Sequence, residues 1–113
     1  MDINIENFKI LRDAVAANPK FDMGEYVHEC GTAACIIGSA AACLDMDYRK
    51  DIEACEIAIQ DWLEIDYDQL SYIEFGDWSR KANISTITQQ EAVEYLDKVI
   101  ATGDVEVMVE AKE

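Results

Sequence analysis

The chain has 113 residues, half of them hydrophobic, and its 24 Asp and Glu residues against 9 Lys and Arg residues give a formal net charge of −15. This length and hydrophobic content predict a folded domain and exclude disorder. The negative charge disfavours nucleic acid and anionic membrane as direct partners, because both attract basic surfaces, and a basic protein surface is the expected complement.

The first predicted element is a helix over 2–18 that ends before Pro19. Its apolar residues recur at steps of three and four and therefore share one face: Ile5, Phe8, Leu11 and Val15. A loop over 20–29 follows, and we expect Tyr26 and Val27 to make a short extended piece in it. The start of the chain has no basic region before an apolar run, so we expect no secretory signal and a cytoplasmic protein with reduced thiols.

We expect the other segments to pack around residues 30–44, CGTAACIIGSAAACL, because this stretch carries almost no charge and little bulk. Thr32 is the predicted N-cap of a helix over 33–44 that is apolar on all sides and hence buried. Small residues recur at spacing four and form a ridge that another helix can cross closely: Ala34, Gly38 and Ala42. The apolar run of twelve residues is too short for a membrane span, which needs about 20.

An amphipathic helix is predicted from its N-cap Asp51 to about Glu64. Its core stripe consists of Ile52, Cys55, Ile59, Trp62 and Leu63. The opposite face is nearly uniform in sign and carries Glu53, Glu56, Gln60, Asp61 and Glu64. A face with so many like charges repels itself and is expected to lie in solvent or against a basic partner.

Two more helices and a strand complete the predicted elements. A short helix begins at Asp66 and Asp68 and ends near Gly76, and a loop over 77–87 follows it. A capping box, Thr88 with Glu91, begins a helix to about Thr102.

The tail, residues 104–113, includes a run in which valine alternates with other residues, which is a strand pattern. This strand would pair with an edge near Tyr26, near Ile84 or in a second copy of the chain. The predicted fold class is therefore mostly α: a compact bundle of four to five helices around a buried small-residue helix, in one domain over 1–113, with a short C-terminal β-strand.

Two motifs, FDMG at 21–24 and CGTAACIIG at 30–38, resemble a pattern in small uncharacterised proteins of bacteria and their phages. The resemblance extends over roughly 21–102 and includes an amphipathic helix and a closing helix in similar places. It implies an origin and a fold but no activity. Such proteins often carry Trp or His where this chain has Ser39, so the resemblance implies no role for that side chain.

The side chains of His28, Cys30 and Cys35 could ligate zinc. However, successive cysteines are five, eight and twelve residues apart, whereas structural zinc sites have paired ligands two to four residues apart. We therefore interpret the cysteines as buried thiols and predict no metal or cofactor. His28 lies two residues from Cys30 and would not face it in an extended segment, so the two are not expected to act as a base and a nucleophile. The sequence also has no phosphate loop and no nucleophile elbow. We therefore predict no catalytic residue and no enzyme.

Between residues 45 and 77 there are eleven acidic residues against Arg49 and Lys50. This charge could serve solubility alone. Together with the phage resemblance, it predicts an inhibitor that occupies the basic nucleic-acid channel of a host defence complex, in the manner of an anti-CRISPR or anti-restriction protein, by DNA mimicry in the host cytoplasm. The alternative is a small helical structural or regulatory module, dimeric through its C-terminal strand. The predicted partner-binding residues, with Trp78 as a partly exposed anchor, are Glu53, Glu56, Asp61, Glu64, Asp66, Asp68 and Trp78.

Overall fold

The structure is a computed structural model that describes residues 2–29 and 31–109. The chain forms a bundle with dimensions of 34 × 32 × 23 Å. Its elements are α1 (Ile5–Ala17), α2 (Ile36–Cys43), α3 (Ile52–Leu63), α4 (Tyr67–Glu74), a 3₁₀ turn (Ile84–Thr86) and α5 (Gln89–Thr102). The predicted mostly α bundle of four to five helices is confirmed.

The helices α1 and α5 pack against each other along much of their length, and α1 also contacts α2. The predicted apolar face of α1 is confirmed, because Phe8, Leu11 and Val15 are fully buried. Gln89, the first residue of α5, binds the C-terminal end of α1. Its Nε2 donates hydrogen bonds of 2.7 Å to the carbonyl oxygens of Val15 and Asn18. These bonds help to satisfy the carbonyl groups at the end of the helix, where, in the described part of the chain, Val15 otherwise accepts only from the amide of Asn18 at 3.3 Å.

The central helix α2 is shorter than predicted. Its N-cap is Cys35 rather than Thr32, and the helix has eight residues. The backbone of residues 33 and 34 pairs with the preceding loop instead of forming helical hydrogen bonds. Ala33 forms an antiparallel bridge with Val27, and the amide of Ala34 donates to the carbonyl of Tyr26 at 3.0 Å. Residues 36–41 are buried as expected, but Ala42 and Cys43 are exposed, so the helix is not buried along its whole length.

The close approach predicted at Gly38 is present, but the approaching backbone is not a helix. A Cβ atom at Gly38 would overlap the carbonyl oxygen of Tyr26 and lie 2.9 Å from its carbonyl carbon. The ridge therefore faces the loop before α2, and the prediction of a helix crossing there is wrong. Only a residue without a side chain fits at this position.

The capping predictions for α3 and α5 are confirmed. Asp51 accepts a hydrogen bond from the amide of Ala54, and the capping box of Thr88 with Glu91 is complete. The predicted stripe of α3 is buried at Cys55, Ile59 and Leu63 and half-buried at Trp62. Ile52, the first residue of α3, is 51% exposed, so the stripe is not buried at its start.

The tail does not form the predicted strand within the described residues, which end at Val109. Val105 and Val109 are buried, and side chains rather than a strand edge satisfy several tail carbonyl groups. The hydroxyl groups of Tyr95 and Tyr72 donate to the carbonyl oxygens of Val105 at 2.7 Å and Val107 at 2.8 Å. Residues 110–113, also part of this prediction, lie outside the described residues.

Candidate acidic interface

The outer side of α3 and the beginning of α4 carry the acidic residues predicted to bind a partner. We use the name acidic face for Glu53, Glu56, Asp61, Glu64, Asp66 and Asp68. Five of them are exposed, and Glu56 is half-buried. Three of them line one cavity of about 500 Å³ at the corner between the two helices: Asp61, Glu64 and Asp66.

No cationic side chain of the described residues lies within 4.0 Å of the acidic face. The paired cations lie elsewhere in the fold. Arg12 of α1 contacts Asp97 of α5 at 2.7 Å, and Lys81 pairs with Glu91 at the start of α5. Arg49, just before α3, pairs with Asp47 rather than with the acidic face, so no cation of residues 2–29 and 31–109 is paired with this face.

One member of the acidic face has a second role. Asp66 is the N-cap of α4, where its carboxylate accepts a hydrogen bond from the amide of Gln69 at 2.8 Å. Replacing an N-cap residue costs about 1 kcal/mol of stability. Variants that test the charge of the face should therefore leave Asp66 in place.

Trp78 is not the exposed anchor that the sequence predicted. Its side chain is fully buried, its ring stacks on Tyr95 with centroids 4.6 Å apart, and its Nε1 donates to the carbonyl oxygen of Ile73 at 3.2 Å. The loop that follows α4 contacts the tail: the amide of Val109 donates to the carbonyl oxygen of Trp78 at 2.9 Å. Trp78 is a core residue.

Sequence reasoning missed the aromatic residues that are exposed. Tyr67 and Phe75, at the two ends of α4, are 58% and 60% exposed, and Tyr26 in the loop before α2 is 38% exposed. The helical pattern alone does not reveal them, because Tyr67 lies three residues before the buried Leu70 and so shares a helical side with it. Exposed aromatic side chains are enriched at protein interfaces.

A second missed feature is a group of two tyrosines and two glutamates, which we call the Tyr–Glu cluster: Tyr26, Tyr48, Glu56 and Glu74. Glu74 is 8% exposed, and its Oε1 accepts hydrogen bonds from the hydroxyl groups of Tyr26 at 2.7 Å and Tyr48 at 3.2 Å. The two tyrosine rings stack with centroids 4.7 Å apart. The cluster joins the loop before α2 to α4.

Charges and burial shift the pKa values in this cluster. Burial, together with the hydrogen bond to Glu74, raises the pKa of Tyr26 well above its ordinary value. Burial and then repulsion from Glu74 raise the pKa of Glu56. Tyr48, whose hydroxyl donates to Glu74 at 3.2 Å, also acts to lower the pKa of Glu56 through a hydrogen bond, so it links the two carboxylates.

The residues considered for zinc or thiol chemistry are engaged in other contacts. Nδ1 of His28 lies 2.9 Å from Oε2 of Glu25, and Nε2 lies 2.6 Å from the carbonyl oxygen of Lys20. Burial raises the pKa of Cys35 to about 11, so its thiol is a poor nucleophile although it caps a helix. Within 2–29 and 31–109 no three metal-ligating side chains cluster. Cys30 lies outside the described residues, and the metal-free state stays a prediction.

Comparisons with protein-family models, with curated proteins and with solved structures find no match to this chain. The resemblance of the segments at 21–24 and 30–38 to small bacterial and phage proteins stays a prediction. In the part of the chain that the structure describes, no helix has the length and apolar character needed to cross a membrane. The surface itself is thus the basis of the functional argument.

Proposed function

We propose that the protein binds a basic surface of a partner through the acidic face and thereby keeps nucleic acid from that surface. In this proposal it is a phage-type inhibitor of a host nucleic-acid-binding defence complex, of the anti-CRISPR or anti-restriction kind. The observation that carries the proposal is the row of carboxylates on α3 and α4 without a cation of the described residues beside it. Such a surface attracts a basic partner over long range and competes with phosphates for the same cations.

Two further observations support binding over solubility as the reason for the charge. A surface that serves solubility has both signs interspersed, whereas no ion pair of the described residues includes an acid of α3 or α4, although Arg49 pairs with Asp47 just before α3. Solubility also disfavours exposed aromatic side chains, yet Tyr67 and Phe75 are exposed on α4. Acidic and aromatic groups together suit a surface rich in lysine and arginine, because aromatic rings attract cations.

The alternative, a module that dimerises through its C-terminal strand, has less support. Val105 and Val109 are buried within the same chain, and no strand is present among residues 104–109. A partner copy would have to displace these contacts before it could pair with the tail.

The experiment compares two variants of equal charge. The face variant carries Glu53→Lys, Asp61→Lys, Glu64→Lys and Asp68→Lys, which spares the cap Asp66 and the cluster residue Glu56. The control variant carries Glu6→Lys, Asp13→Lys, Glu29→Lys and Glu106→Lys, which are exposed positions outside the face. Each variant has a formal net charge of about −7, because each reversal adds two charges to −15.

Affinity capture from bacterial lysate should bring down the same nucleic-acid-binding complex with wild type and control variant, and the face variant should lose it. The captured complex should also lose its nucleic-acid binding when wild-type protein is added. Capture by the face variant at the wild-type level would refute the proposal, because the acidic face would then not be needed for binding. The equal net charge of the two variants ensures that a difference between them reflects the position of the charges.

A further inference from the structure

A small cavity lies between the loop before α2 and the end of α4. Its volume is about 170 Å³, and its lining includes Tyr26, Glu74 and Phe75. Pockets for small-molecule ligands have volumes of roughly 300 Å³ or more. This cavity is therefore too small for a cofactor or metabolite and has the size for a single side chain.

Glu74 contributes a carboxylate to the lining of this cavity, and no cation of the described residues pairs with it. Its side chain is more than nine-tenths buried, and its Oε1 is occupied by the hydroxyl groups of Tyr26 and Tyr48. Within the described part of the chain, Oε2 accepts no hydrogen bond and no cation lies within 4.0 Å of it. Among the described residues, Oε2 of Glu74 is not one of the fully enclosed atoms without a partner, so it is open to solvent and to a ligand. A cation beside a carboxylate that is largely buried offsets the cost of its burial.

The remaining walls of the cavity also suit a cation. Phe75, which is exposed, and Tyr26, which is partly exposed, line the cavity. A cation close to an aromatic face is attracted by the negative potential of the ring. Glu25 also lines the cavity and contributes a second carboxylate.

We propose that this cavity receives one lysine side chain of the basic partner, with its ammonium group against Oε2 of Glu74 and its methylene chain against Phe75. Because Oε1 already accepts two hydrogen bonds, one oxygen alone is open, and this favours end-on contact with an ammonium group over the paired contact of a guanidinium group. The inference rests on the proposed function, since it names the side chain that the partner contributes. Tyr26 and Tyr48 are positioning residues that hold the carboxylate in place.

The test uses the full chain, labelled for NMR, and three blocked tripeptides: Gly-Lys-Gly, Gly-Arg-Gly and the uncharged Gly-norleucine-Gly. We expect Gly-Lys-Gly to shift the resonances of Tyr26, Glu74 and Phe75 saturably, Gly-Arg-Gly to bind more weakly, and the norleucine peptide to cause no such shifts. Shifts of equal size from the norleucine peptide, or tighter binding of the arginine peptide, would overturn the proposal.

Two variants and a control locate the binding. Glu74→Gln retains an acceptor for both tyrosines but removes the charge, and it should weaken Gly-Lys-Gly binding at least tenfold. Phe75→Ala should weaken it roughly two- to fivefold, and the exposure of Phe75 leaves the fold intact. Tyr67→Ala, at the other end of α4, should bind as wild type does.

Wild-type affinity for Gly-Lys-Gly in the Phe75→Ala variant, or in a folded Glu74→Gln variant, would overturn the proposal. If Glu74→Gln does not fold, the affinity of the Phe75→Ala variant is the deciding measurement. Failure of this inference is distinct from failure of the proposed function. If the face variant loses the captured complex but the cavity binds no lysine peptide, the lysine site is refuted and the acidic face retained. If the cavity binds lysine but the face variant captures the complex normally, the proposed function is refuted.

Discussion

Replacing Gly38 by alanine should destabilise the protein, although alanine is the better helix former. The new methyl group would overlap the carbonyl oxygen of Tyr26. That carbonyl cannot move freely, because it accepts the hydrogen bond from the amide of Ala34 at 3.0 Å, and the Tyr26 hydroxyl is held by Glu74 at 2.7 Å. The loop before α2 must therefore shift as a unit.

Two destabilising contributions and one stabilising contribution determine the change in the free energy of unfolding. Overpacking a tight contact costs about 1 to 3 kcal/mol. A weakened hydrogen bond between Ala34 and Tyr26 adds about 1 kcal/mol. The helix propensity of alanine over glycine offsets at most about 1 kcal/mol. The net loss in free energy of unfolding should be about 1 to 3 kcal/mol.

Urea unfolding, followed by the fluorescence of the buried Trp78, measures this loss. Ala42→Leu is the control, because Ala42 lies on the same helix but is exposed, and its change should stay within about 0.5 kcal/mol. A Gly38→Ala variant as stable as wild type would refute the contact with Tyr26. The same variant should also bind Gly-Lys-Gly more weakly, since the shifted loop carries Tyr26.

Three further predictions concern the core, the buried ion pair and the thiols. Trp78→Ala should cost about 3 to 5 kcal/mol in urea unfolding, because the side chain is fully buried, and a loss below 1 kcal/mol would contradict its burial. Burial acts to raise the pKa of Glu91, but hydrogen bonds from Lys81 and Thr88 outweigh it and lower that pKa, so Lys81→Met should destabilise the protein by about 3 kcal/mol at pH 7. A lowered pKa stabilises above the unfolded value of about 4.3, so this difference should shrink as the pH falls from there through the lowered pKa of Glu91; a constant difference would contradict the pairing. In a Cys30→Ser background, a thiol reagent should label the exposed Cys43 rapidly and the buried Cys35 and Cys55 slowly, and three equal rates would contradict these burial assignments.

The features that the sequence predicted correctly depend on neighbours within one or two helical turns. The caps at Asp51 and Thr88 and the apolar face of α1 are local patterns of this kind. The start of α2 was not predictable in this way, because both Thr32 and Cys35 are able to cap a helix. The bridge between Ala33 and Val27 decides between them, and its existence depends on the loop before α2.

The residues of the candidate site also differ in whether local sequence or distant segments determine their surroundings. The acidic side of α3 follows from helical periodicity, so Glu53 and Asp61 lie where the pattern places them. Glu74 and Trp78 were not identified correctly, because their surroundings come from distant segments. Glu74 is paired with a tyrosine 48 residues earlier in the chain, and Trp78 packs on Tyr95 of α5.

The central claim is that the acidic face binds a basic partner by electrostatic attraction. The most direct measurement is the association rate of the captured complex with wild type, the face variant and the control variant over a range of salt concentrations. Wild type and control should associate fast at low salt and slow steeply as salt increases, because screening beyond about 8 Å at physiological salt removes long-range attraction. The face variant should associate slowly at every salt concentration. A face variant with the wild-type rate and the wild-type salt dependence would contradict the claim.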